Sequence, residues 1–388
     1  MNIKTRKCPV CGNKEVDILY RQKFATMEGI SFLNKYDVVC CQQCGFLYAD
    51  GIPSQVEFNE YYTNASKYEK PRVVDHVHNQ EKYDKTFLFC EQALERIGEK
   101  QENKSIVDVG CSTGDYLLYL KAKGYENLCG IDPSEQCVEY MKEQGINATC
   151  NTLDQISGED KYDIVRFSEV MEHIVDLNNS VEKLKLLMKP SGVLYVSMPY
   201  VEGFVKTDNA PYQEFSVEHI NYFTLNSLKN LMTRHGLHML DYCVTVTKAY
   251  SDLEALFVLG ETENVEASDG KEHMLEYISK CEKIEKKITN TIHELAKKNI
   301  PLIVWGVGTF TQHQLECGEL GKCNIKLFVD GNEHYQGKIY RGIPIQSPKT
   351  IVTNETILIA SFHAQKAIEK EIREERKLNN PIVKLFDV

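Results

Sequence analysis

The stretch IVDVGCSTGDYL at 106–117, answered by GID at 130–132, constrains this chain more than any other. An apolar run reaches Asp108, turns through Gly110, Cys111, Ser112, Thr113 and Gly114, and opens into a helical pattern; the next apolar run ends on Asp132. That order reads as a strand, a tight turn, a helix and a second strand closed by a carboxylate. In a doubly wound sheet such a turn lies above the strand ends. Its glycines let the backbone approach an adenosine-containing cofactor, and the second acid accepts hydrogen bonds from the ribose hydroxyls. A dinucleotide-binding fold begins the same way, so the motif by itself leaves the cofactor open.

The pattern continues as SIVDVG, NLCGID, a weaker NATC, YDIVRFS and GVLYVSMP, separated by the helical runs YLLYLKAKG, EQCVEYMKEQG and SVEKLKLLMK. Alternation of this kind predicts an α/β domain with a mostly parallel sheet and helices on both faces. After Pro199 the alternation breaks. Residues 201–217 are an aromatic, acidic loop running into EHINYFTLNSLKNLM at 218–232.

The chain has 14 cysteines, and five of them crowd its first 44 residues. CPVCG at 8–12 and CQQCG at 41–45 are each a Cys-x-x-Cys turn followed by glycine, and two such turns supply four sulfurs to one tetrahedral zinc. The expected ligands are Cys8, Cys11, Cys41 and Cys44. Cys40 is spare, although Cys40 with Cys44 is a workable pairing. Four sulfurs leave no open position, so the metal is expected to be structural. Cys90, Cys129, Cys137 and Cys150 read as small core residues of a chain in a reducing compartment.

From about 53 to 70 an aromatic, polar segment with Tyr61, Tyr62 and Tyr68 shows no clear periodicity, whereas 72–98 turns helical, with His76 and His78 near its start. The acidic stretch at 261–270 reads as a linker. A helix over 271–298 follows, with Met274, Leu275, Ile278, Cys281, Ile284, Ile288, Ile292 and Leu295 forming one apolar stripe. IPLIVWGVGTFTQHQLE at 300–316 then repeats the strand, Gly-x-Gly turn and helix, and Asp330 ends the next strand. A small parallel sheet of four or five strands is expected there. The resulting division is a zinc-binding module at 1–52, a linker and helix at 53–100, a catalytic domain at 101–260, a connecting helix at 271–298 and a C-terminal domain at 299–388.

A length of 388 residues suits two or three domains. The formal net charge of -11 disfavours a nucleic-acid partner, since phosphate contacts need clustered Lys and Arg. No apolar run approaches a membrane span, and Met1 to Lys7 has no signal-peptide core, so a cytoplasmic protein with no membrane partner is expected.

VDVGCSTG, GIDPS, YDIVRFSEVMEHI and LMKPSGVLYVSMP together resemble the Rossmann-like class I methyltransferases that use S-adenosylmethionine. The resemblance implies a cofactor site of Asp108, Gly110, Ser112, Gly114 and Asp132, with Asn151 or Thr152 at the adenine. It also implies that LHMLDYCVTVT and ALFVLG form two extra strands that make one end of the sheet antiparallel. The loop leaving the strand that ends in MPY is then expected to cover the substrate, which puts His219 where a base is wanted. The bland alternative is that Glu218, His219, Tyr222 and Phe223 only anchor that loop.

With the cysteine module and the C-terminal WGVGT and VDGN text included, nearly the whole chain resembles the sugar C-methyltransferases of deoxysugar pathways. That resemblance implies a nucleotide-linked keto sugar as small-molecule substrate, His219 as base beside Glu218, and His173 lining the acceptor pocket. The family carries a tyrosine two residues before the glutamate; this sequence has Ser216 there, with Tyr212 or Tyr222 as possible replacements. O- or N-methylation of another activated sugar, and a non-catalytic binding component that keeps the cofactor fold, are the alternatives. Nothing in the sequence sets the oligomeric state.

Overall fold

The computed structural model describes residues 5–25, 27–28, 32–64, 80–97, 104–158, 161–261 and 268–387. Tyr68, His76, His78 and most of the acidic stretch expected as a linker lie outside the described residues.

The central sheet has seven strands in the order Asn147–Cys150, Leu128–Asp132, Ile106–Val109, Tyr162–Ser168, Met188–Pro199, Ser251–Leu259 and Leu237–Val246. The first five are parallel, Ser251–Leu259 runs antiparallel to them, and Leu237–Val246 pairs antiparallel with Ser251–Leu259. This is the Rossmann-like class I arrangement that the alternating pattern predicts. Chain order reverses direction between Ile106–Val109 and Tyr162–Ser168, and the crevice at the carboxyl ends of such strands is where open α/β sheets bind ligands.

Ile106–Val109 is buried at all four positions, because a parallel strand is covered on both faces. One charge nevertheless sits in it. Asp108 lies directly opposite Arg166 in the ladder, and Arg166 Nη1 donates to its two carboxylate oxygens at 2.9 and 2.8 Å. The guanidinium is 4.6 Å from the centre of the Tyr116 ring. Removing either partner strands a buried charge, a change that typically costs about 3–5 kcal/mol.

The four-cysteine module does not stand apart. Its strands Val16–Lys23, Lys35–Cys41 and Leu47–Asp50 form a sheet whose fourth member, Asn221–Tyr222, comes from the loop after the central sheet. Phe46 and Tyr48 share one apolar core with Val107, Val165, Phe167 and Leu228. The Arg6 guanidinium donates to the carbonyls of Ala49 at 3.1 Å and Val175 at 2.8 Å, and so bolts the module to the rim of the central sheet.

The C-terminal sheet runs Ile382–Lys384, Thr356–Ile359, Pro301–Trp305, Asn324–Val329 and Ile343–Gln346, all parallel. Ile339–Tyr340 joins its edge antiparallel, followed by Met27–Glu28 from the N-terminal region. Helix Gly270–Lys297 links the parts through its apolar stripe. Met274, Tyr277, Ile278 and Cys281 pack with Phe204, Tyr212 and Phe215, while Ile288, Ile292 and Leu295 pack in the C-terminal core. Leu275, expected in that stripe, is 44% exposed, because it lies one position round from the buried face.

Two expectations need correction. The segment after Pro53 is a helix, Gln55–Asn64. Its start is set by a capping box in which Ser54 N and Oγ both donate to Glu57 Oε2 at 2.9 Å. Cys150 is exposed, because Asn147–Cys150 is the edge strand, whereas Cys90, Cys129 and Cys137 are buried as expected. Among the described residues, no helix is long and apolar enough to cross a membrane.

Candidate active site

A cavity of about 380 Å³ opens at the carboxyl ends of Ile106–Val109, Leu128–Asp132 and Tyr162–Ser168. Gly110 enters the turn at φ 75°, and a Cβ there would lie 2.6 Å from Val170 Cγ2. Ser112, standing where the motif usually has its middle glycine, takes φ 49°. Asp132 Oδ2 accepts the Ser112 backbone N–H at 2.7 Å, and Oδ1 accepts that of Ser134 at 2.9 Å. Burial raises the Asp132 carboxyl above its ordinary range, and these two N–H groups offset only part of that rise. Each oxygen keeps a second lone pair for a ribose hydroxyl. Gly110→Ala adds both a clash and a left-handed backbone penalty, so cofactor affinity should fall about tenfold or more by calorimetric titration. Unchanged affinity would show that this turn does not hold the cofactor.

Of the residues singled out from the sequence, Gly110, Ser112, Asp132, Asn151, Thr152, His173 and His219 line the cavity. Asp108, Gly114, Glu218 and Tyr222 do not. Asp108 is taken by Arg166. Gly114, at φ 72°, caps the following helix, and a Cβ on it would meet Met141 Sδ at 2.7 Å. Tyr222 is buried in the module's core with its hydroxyl 3.2 Å from that of Tyr36. The neighbouring Tyr212 is stacked on Tyr20, 4.5 Å between ring centres, so neither tyrosine replaces the one absent at Ser216.

Ser216 has work of its own. Its hydroxyl oxygen accepts the backbone N–H groups of Glu218 at 3.3 Å and His219 at 3.0 Å, shaping the turn that presents the histidine. Glu218 Oε1 accepts a hydrogen bond from Tyr61 at 3.0 Å. Helix Gln55–Asn64 also contributes Gln55, Asn59 and Tyr62 to the cavity wall, a contribution missed in the sequence. The signal for it was Ser54-x-x-Glu57.

His173 sits on a single turn, Met171–His173, just past Tyr162–Ser168. Its Nδ1 lies 2.9 Å from the Glu218 carbonyl, which can only accept, so Nδ1 carries a hydrogen and Nε2 is the nitrogen that faces Glu172. That nitrogen is 3.7 Å from Glu172 Oε1. Burial, with Glu169 nearby, pushes the Glu172 carboxyl well above the usual range, and its Oε2 is buried without a hydrogen-bond partner. The rings of His173 and His219 meet edge to face at 5.0 Å. Glu172, His173 and His219 present ligand atoms that all lie within 4.8 Å of one another, so this set could also hold a metal ion.

The second candidate metal set is Cys8, Cys11, Cys41 and Cys44, again within 4.8 Å of one another. Cys8 and Cys44 sulfurs are 3.6 Å apart, and those of Cys11 and Cys41 3.5 Å. Four sulfurs at zinc bond length on a tetrahedron stand about 3.7–3.8 Å apart, so the donors fit that ion. Gly12 at φ 77° and Gly45 at φ 73° turn the two knuckles. Cys40 points to the opposite face of its strand, in a different core from Cys41, which leaves it outside the set.

The C-terminal turn repeats the geometry of the first. Val307 and Asn332 backbone N–H groups donate to the two carboxylate oxygens of Asp330, at 2.9 and 2.8 Å, and Gly306 takes φ 104°.

Residues 80–242 match the family of methyltransferase domains. With this match and the sheet order, the chain is an S-adenosylmethionine-dependent methyltransferase. Over 360 residues it is 24% identical to the C-methyltransferase NovU of Streptomyces niveus, covering 86% of this chain and 82% of that protein. It is 30% identical over 98 residues to the ubiquinone biosynthesis O-methyltransferase of Bradyrhizobium diazoefficiens, a match spanning 24% of this chain and only 38% of that enzyme. Among solved structures, an S-adenosylmethionine-dependent methyltransferase from Clostridium acetobutylicum superposes with a TM-score of 0.39 at 15% identity, over 48% of this chain and 93% of that one.

Proposed function

We propose that this enzyme transfers a methyl group to a nucleotide-linked sugar, at the carbon next to a ketone, with His219 as general base. The observation that carries the reading is the placement of His219 on the cavity wall that also holds Asp132 and His173, on a turn shaped by Ser216. The cofactor, when bound at the Gly110 turn, supplies an electrophilic methyl on a sulfonium. A carbon acceptor must lose a proton to attack it, and an imidazole is suited to take that proton near neutral pH. Burial pushes the Glu172 carboxyl beside His173 upward, which favours its neutral form, and in that form it would offer a hydrogen-bond donor to the oxygen on which the enolate charge collects. Tyr61, bonded to Glu218, brings a phenol to the neighbourhood that lacks one at Ser216. Similarity to a C-methyltransferase over 86% of the chain supports the same reading.

Cys8, Cys11, Cys41 and Cys44 hold a structural zinc in this proposal.

A second reading, O-methylation assisted by a divalent cation, is favoured by the convergence of Glu172, His173 and His219, since two imidazoles and a carboxylate suit such an ion. One experiment separates the two. The protein is incubated with S-adenosylmethionine and a panel of nucleotide-linked sugars, both 4-keto-6-deoxy and fully hydroxylated, with and without added Mg²⁺ or Mn²⁺. S-adenosylhomocysteine formation is followed and the product methyl located by NMR. A carbon-bound methyl independent of added metal supports the first reading. An oxygen-bound methyl with turnover raised about tenfold or more by metal supports the second. No turnover of any sugar in the panel sinks both.

A further inference from the structure

We propose that His313 is a positioning residue for the loop that carries His219, acting as a buried imidazolium that fixes the loop through Gln22. Gln22, on strand Val16–Lys23, is 1% exposed. Its Nε2 donates to the Phe215 carbonyl at 2.8 Å, and its Oε1 accepts the Lys23 backbone N–H at 3.2 Å. Those two partners fix which way the amide points. Oε1 therefore faces His313 Nδ1, 2.9 Å away, and Nδ1 must carry a hydrogen.

The other ring nitrogen, Nε2, is 3.0 Å from Glu285 Oε1, which also accepts from Gln314 Nε2 at 2.6 Å. An ionised carboxylate only accepts, so Nε2 carries a hydrogen as well. A ring with hydrogens on both nitrogens is an imidazolium. It joins four segments: helix Gly270–Lys297 through Glu285, helix Thr309–Glu316 through His313, the N-terminal strand through Gln22, and the acceptor loop at Phe215. Phe215 immediately precedes Ser216, whose hydroxyl holds the His219 backbone N–H.

The titratable groups facing His313 are Glu285 from the long helix, Cys317 from the end of its own helix, Tyr212 from the loop with its ring 4.9 Å away, and Tyr20 from the N-terminal strand, which stacks on Tyr212. Burial pushes both tyrosines far up, so they stay neutral. For His313, burial acts downward, but the neighbouring Cys317 and Glu285 outweigh it and bring the ring up to about 9. A raised histidine contributes its full stabilisation below its ordinary value of about 6.5 and loses it as pH rises through the folded value. The loop should therefore be held through neutrality and loosen toward pH 9.

The catalytic reading of His219 enters only as what the loop serves; the positioning is tested without any acceptor. Hydrogen exchange by mass spectrometry on the full chain with S-adenosylmethionine, from about pH 6 to 10 and corrected for intrinsic rates, reads peptides covering 212–222 against a control in Met188–Pro199. Wild type should lose protection in the loop peptides near pH 9. Glu285→Gln, close in shape but uncharged, should move that loss down by at least about one pH unit. Gln22→Leu should lower loop protection about tenfold at pH 7 with the control unchanged. Equal midpoints in wild type and Glu285→Gln, or wild-type loop protection in Gln22→Leu, would overturn the proposal. Failure of the sugar panel leaves this result untouched, and failure here leaves a product from that panel untouched.

Discussion

Replacing His219 by alanine is expected to lower turnover of the acceptor by about 100-fold or more, the usual contribution of a positioned general base. Affinity for S-adenosylmethionine, read by calorimetry, should stay within about twofold of wild type, because Asp132 is held by the backbone N–H groups of Ser112 and Ser134, neither of which lies on the His219 turn. The competing view is that the histidine only anchors its loop. The backbone shares in the anchoring: its N–H is bonded to Ser216, and that bond survives the substitution. Loss of the ring should therefore cost rate and not order, and the melting temperature should hardly change. A variant that turns over normally, or one that loses turnover and cofactor affinity together, would remove His219 from the proposed role.

Stripping the four-cysteine site should have the other large effect. Structural zinc can supply on the order of 10 kcal/mol of folding free energy in small zinc-dependent modules. Here the knuckles of Cys8 and Cys41 share a core with Val107 and Phe167 of the central sheet, so damage should spread. Cys41→Ser with Cys44→Ser is expected to purify without zinc, to melt about 10 °C or more below wild type and to lose activity. The loss of activity has a specific route, since Asn221–Tyr222 pairs with Leu47–Asp50 only two residues past His219. A wild-type protein purified free of zinc, with the same melting temperature as the double variant, would refute the assignment.

The central fold was legible because parallel strands covered on both faces read as unbroken apolar runs, and because Gly110, Gly114 and Asp132 stand at fixed offsets from them. Asp108 shows where such reading stops. In sequence it belongs to the cofactor motif, yet in space it answers Arg166, whose charge inside the apolar run YDIVRFS was the available hint of a buried partner. Tyr222 failed for a related reason: a loop residue's direction depends on what the loop packs against, and here that is a sheet some 170 positions earlier in the chain. The helix Gln55–Asn64 has little amphipathic pattern, so only its capping box announced it. Two-residue strands such as Met27–Glu28 have no period to detect.

The pairing of Asn221–Tyr222 with Leu47–Asp50 also bears on how this enzyme could be re-engineered. The stretch presenting His219 is written in the catalytic domain but completed by a partner strand from the chain's beginning. A chimera that exchanges residues 80–261 alone would import a new acceptor loop and orphan its hydrogen bonds. If the loop selects the acceptor as proposed, the unit that carries that choice is discontinuous, and a transplant has to carry the N-terminal segment 5–64 together with residues 80–261.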